Sequence, residues 1–72
     1  MSVHAETKAI FADNKAAQKF SDWLYHNDYT NKTLFQNTVS VTVFSHGDHV
    51  CITEGIRERG GKIISDHVDD DY

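Results

Sequence analysis

Residues 45–61 run Ser45-His46-Gly47-Asp48-His49-Val50-Cys51-Ile52-Thr53-Glu54-Gly55-Ile56-Arg57-Glu58-Arg59-Gly60-Gly61, and whether they form a helix or a strand decides the fold. Val50, Cys51, Ile52, Thr53 and Gly55 are poor helix formers, and alternation of Val50, Ile52 and Ile56 suits a strand. The punctuation argues otherwise. Ser45 and Asp48 have the spacing of a capping box, with Asp in place of Glu or Gln. Arg57 and Arg59 fall where a helix C-terminus favours cations, and Gly60 is the residue expected just beyond a helix end. Cys51, Ile52, Gly55 and Ile56 share one helical face. Start, stop and face agree on a helix over 48–59; the strand reading leaves a β-α-β-β-β meander with a single helix.

Working outward, Val39-Ser40-Val41-Thr42-Val43-Phe44 is β-branched and alternating, the pattern of a half-buried strand. Val3 to Phe11 also alternates, with Val3, Ala5, Thr7, Ala9 and Phe11 on one side and His4, Glu6, Lys8 and Ile10 on the other. Asp13 offers an N-cap for a helix from Asn14 to about Asn27. Its apolar stripe is Ala16, Ala17, Phe20, Trp23 and Leu24, opposite Lys15, Gln18, Lys19 and Asp22. Between them Tyr29 to Asn37 reads as a short edge strand or ordered loop anchored by Leu34 and Phe35. Lys62 to Ser65 is a last strand. The order β-α-β-β-α-β predicts a small α+β ferredoxin-like sandwich, with both helices on one face of a four-stranded sheet.

The chain has 72 residues and a single cysteine, Cys51, so no internal disulfide can staple it. A domain this small buries only about 60% of its unfolded surface, and extra stability must come from packing, a metal or a partner. Eleven acids against seven Lys and Arg give −4. Up to residue 65 seven acids balance all seven cations, so the excess is Asp66, Asp69, Asp70 and Asp71. The division expected is a domain over 1–65 and an acidic C-terminal tail over 66–72, its aspartates mobile because like charges repel. No basic stripe marks a nucleic-acid binder, and no apolar run approaches the ~20 residues that span a bilayer. The opening Met1-Ser2-Val3-His4 lacks the flank and apolar run of a signal peptide, so the cytoplasm is the expected compartment.

His46, His49 and Cys51 supply ligands of the kind zinc or copper prefers, but not at zinc-finger spacing. The competing reading makes Cys51 a packed hydrophobe and the histidines solvated. No motif for an enzyme or a cofactor is present. Gly60-Gly61 follows the helix, whereas a phosphate loop needs glycine before one. The open sheet face is the remaining candidate. If Val39, Val41 and Val43 face the helices with Phe11 and its register, Ile10 and Phe44 must face away. With the first and third strands expected adjacent and parallel, these two would lie side by side. Alternation sends one of Ile63 and Ile64 to join them; Ile64 is the choice. The expected activity is therefore that of a non-enzymatic protein-binding module. Ile10, Phe44, Ile64, Asp69, Asp70 and Asp71 would meet a protein partner or a second copy. Such small domains with acidic tails suit regulators or inhibitors, including those that phages and other mobile elements direct at host machinery. A metal-binding protein using His46, His49 and Cys51 is the alternative.

Overall fold

A computed structural model describes residues 2–71, with side chains described for residues 3–69. The elements are β1 (Ser2–Ile10), α1 (Asn14–His26), β2 (Lys32–Phe35), β3 (Thr38–Val43), α2 (His46–Glu58) and β4 (Lys62–Asp71). They form a four-stranded antiparallel sheet in the order β2-β3-β1-β4, with two helices: the ferredoxin-like α+β arrangement.

Local chemistry sets the helix ends. Asp13 accepts the Ala16 amide at 2.8 Å and starts α1. Ser45 accepts the Asp48 amide at 3.1 Å and starts α2. Half of the capping box is used differently, because the Asp48 carboxylate accepts the Tyr29 hydroxyl instead, at 3.1 Å. Past α2, Gly60 adopts φ 76°, and the amides of Gly60 and Gly61 return to the carbonyls of Arg57 and Ile56. That paired closure satisfies carbonyls the helix leaves over and needs a left-handed residue, which glycine adopts without strain. Asp28, at φ 65°, closes α1 the same way, with Asp28 and Tyr29 donating to Tyr25 and Leu24.

Both helices pack on one face. Phe20 and Leu24 of α1 and Ile52 and Ile56 of α2 meet Ala5, Ala9, Val39, Val41 and Val43 in a single buried cluster, with Phe11 at its end. Trp23 is only partly buried, at the rim of this core. It stacks on Phe20 with centroids 5.6 Å apart and carries the Arg59 guanidinium 4.6 Å from its ring.

Two expectations are corrected. β1 and β3 are adjacent but antiparallel, pairing Ala5 with Val43 and Ile10 with Thr38. In a β-α-β-β-α-β sheet of this order β2 runs with β1, and the hairpin to β3 reverses direction. The expected acidic tail also does not leave the domain: residues 66–71 continue β4, so that Ser2 faces Asp71 across β1. Backbone pairing with a nine-residue central strand outweighs the mutual repulsion of its aspartates, which water and salt screen. Tyr72, the last residue of that expected tail, lies outside the described residues.

Candidate functional site

Residues directly opposite one another on neighbouring strands share a face of the sheet. The register therefore assigns the helix-free face: His4, Glu6, Lys8 and Ile10 from β1, Thr38, Ser40 and Thr42 from β3, Thr33 and Phe35 from β2, and Lys62, Ser65, His67 and Asp69 from β4. Large apolar groups occupy its two ends. At one end a row crosses the sheet as Phe35, Thr38, Ile10 and Lys62, with Phe35 73% and Ile10 36% exposed. At the other end Phe44, 58% exposed, stacks on His4 with ring centroids 5.6 Å apart and planes 30° off parallel.

Ile10 and Phe44 both face away from the core as parity required, yet antiparallel pairing holds them apart. Six residues of strand separate their rows, about 20 Å at the usual rise. Between them the surface is hydroxyl-rich. A shallow depression of about 370 Å³ runs over Thr33, Ser40 and Thr42, with Phe44 at its rim. The partner of Ile10 is Phe35, which sequence reasoning recognised only as an anchor of a weak strand. Its outward direction follows from the register: Leu34 pairs with Val39 on the helix side, so its neighbour points to the open side.

Ile64 reaches the surface by another route. Lys8 pairs with Ser65 but Ala9 with Ile63, so Ile64 is the extra residue of a β-bulge. Ile63 packs against the core while Ile64 is 50% exposed. The bulge resets the phase of everything after it. Asp66 and Val68 then align with Thr7 and Ala5 on the helix side, and His67 and Asp69 with Glu6 and His4 on the open side.

The aspartates of β4 are thus split between faces. Asp66 ties three elements together: its Oδ1 accepts the buried Thr7 hydroxyl at 3.1 Å and lies 2.8 Å from His49 Nε2 on α2. Asp69 Oδ2 lies 3.0 Å from His67 Nε2. The backbone of Asp70 and Asp71 extends the same strand opposite Val3 and Ser2.

His46, His49 and Cys51 are all on α2 but are not brought together. At about 100° per residue, positions 49 and 51 lie on opposite sides of the helix. His49 turns to Asp66, while the exposed Cys51 lies within hydrogen-bonding reach of Tyr29. Among the described residues no group of three or more His, Cys, Asp or Glu is placed to hold a metal ion. The phenol of Tyr29 is held well above the ordinary tyrosine range, first by burial and then by its hydrogen bonds with Cys51 and Asp48.

No protein-family model matches the chain, and no curated protein or solved structure matches it either. Among the described residues no helix is long and apolar enough to cross a membrane.

Proposed function

We propose that this chain is a small non-enzymatic protein-binding module, a regulator or inhibitor that docks a protein partner through its open sheet face. The supporting observation is the exposure of Phe35, Phe44 and Ile10 on a face that carries no helix. Burying a large apolar side chain is worth roughly 1.5–3 kcal/mol, and a domain this small forgoes that gain at three positions. A partner covering the face recovers it. Exposed apolar groups set in a polar surround are the usual mark of such a contact. The hydroxyls of Ser40, Thr42 and Thr33 between the two apolar ends would fix the partner's orientation, and the aspartates of β4 would steer a basic surface toward it.

The test is a triple substitution, Ile10→Thr, Phe35→Ser and Phe44→Ser. All three side chains are on the surface, where changes usually stay within about 0.5 kcal/mol, so the variant should melt close to the parent. It should lose the cross-linked or co-purified partner that the parent retains. A variant that unfolds assigns these residues to the core, and one that keeps the partner removes the open face from the interaction.

A further inference from the structure

The acidic half of β4 is a fixed strand, and that gives it a property a flexible tail would not have. β4 lies at the edge of the sheet and pairs on one side only, with β1. Along its ten residues the other side offers backbone N–H and C=O groups with no strand of the described residues beside them. That edge is about 33 Å long at the usual rise. The opposite edge, β2, has four residues, too few to hold an added strand well. Edge strands invite pairing with another chain, and proteins commonly block this with charge or a bulge. β4 has its bulge at Ile64, near its start, and past it the strand is regular from Ser65 to Asp71.

We infer that the outer edge of β4 takes up an extended, lysine- and arginine-bearing segment of a partner protein as a fifth strand. Charge selects the occupant. From Lys62 to Asp71 the strand carries four aspartates and one cation. A second copy laid along this edge would line up four more aspartates against them, so self-pairing is opposed, while a basic segment is drawn in. The faces specify the pattern. Asp66 sits on the helix side opposite Thr7, and Asp69 on the open side opposite His4. Successive residues of an added strand point to alternate faces, so the matching segment carries cations on both faces, at odd spacings such as the three residues from Asp66 to Asp69 and not only at every second position. The edge is held in shape before anything binds, by nine residues of β1 and by the clasp of Thr7, Asp66 and His49. Main-chain hydrogen bonds would supply affinity and the aspartates selectivity, as in other strand-addition complexes.

The experiment uses the whole isotope-labelled chain and three synthetic eight-residue peptides. One has paired Lys and Arg separated by Val, the second has the same sequence with alternate backbone amides N-methylated, and the third has Asp in place of every cation. The first should slow amide exchange within residues 65–69 about tenfold or more and weaken steeply as salt shortens the reach of the charges. The other two should leave exchange unchanged. Asp69→Asn, Asp70→Asn and Asp71→Asn together should weaken the first peptide about tenfold, given the several charges removed. Equal binding of the methylated peptide would overturn the proposal by showing that charge alone suffices. Protection confined to the open face, or β4 amides already protected in a self-associated free protein, would do the same. The triple open-face variant should bind the first peptide as the parent does, so failure of the open-face reading and failure of this one are told apart.

Discussion

Gly55 is buried in the middle of α2 against the indole of Trp23, and a Cβ added there would stand 2.9 Å from Cη2 and 3.0 Å from Cζ3 of that ring. The indole has little room to retreat, with Phe20 stacked on it, Tyr29 beside it and Arg59 over its face. Alanine would gain about 1 kcal/mol in helix propensity, but overpacking a filled site costs about 1–3 kcal/mol. The second effect wins. Gly55→Ala should lower stability by about 1 kcal/mol in urea unfolding, with a shift in Trp23 emission; a gain in stability would show that the ring yields freely. Tyr29 makes a prediction in pH. Its phenol ionises above the ordinary tyrosine value of 10.0 because burial and its two hydrogen-bond partners favour the neutral form. A pKa raised by folding gives stability that is complete below the unfolded value and is lost as pH climbs through the folded one. The parent should therefore weaken with pH above about 10 more steeply than Tyr29→Phe, which has no proton to lose there. Parallel pH profiles from thermal melts would contradict this.

Among the elements, β4 is held by side-chain ties as well as by its backbone pairing with β1. The Thr7 hydroxyl is buried and donates to Asp66, which also meets His49. Asp66→Ala leaves that hydroxyl without its acceptor, a loss of about 1–3 kcal/mol, and frees α2 from the edge strand. It should destabilise the protein by an amount in that range and speed amide exchange along β4. No comparable loss would mean that water replaces the carboxylate at no cost. How legible each element was in the sequence follows from where its information lies. α2 could be read against its own β-branched composition because both ends carry local chemistry, Ser45 at the start and Gly60 at the stop. β4 could not be read past Ser65. A run of aspartates looks like a solvated tail, and what holds it as a strand is pairing with residues some sixty positions earlier, a non-local fact. The bulge at Ile64 compounds the difficulty, since it brings Ile63 and Val68, which strict alternation would send to opposite faces, to the same side of the sheet.

For the molecule as a whole, the parity of β1 and β3 was legible and the direction of one strand relative to another was not. The inward set Ala5, Ala9, Val39, Val41 and Val43 forms the core as the alternation required. That is why Ile10 and Phe44 lie outside it. Their separation turns on topology: an antiparallel neighbour places strand ends at opposite poles, and the apolar patch divides into Ile10 with Phe35 and Phe44 with His4. The three candidate metal ligands are divided for a similar reason, since residues two apart on a helix, as His49 and Cys51 are, point to opposite sides. The same topology governs how the protein can be made. β1, the first of these four strands to be synthesised, occupies the middle of the sheet, and one of its two neighbours is the last of the four. Its partners, from Ser2 with Asp71 to Ile10 with Lys62, are separated by most of the chain. Non-local pairings of this kind slow folding, and at about 5–20 residues per second β1 waits several seconds for them. During that interval β1 is itself a bare edge, backed only by β3 and whatever of the helices has docked. Closure of the sheet therefore waits for residues 62–71, and a nascent chain stalled before residue 62 exposes a central strand open to chaperones or to unwanted pairing.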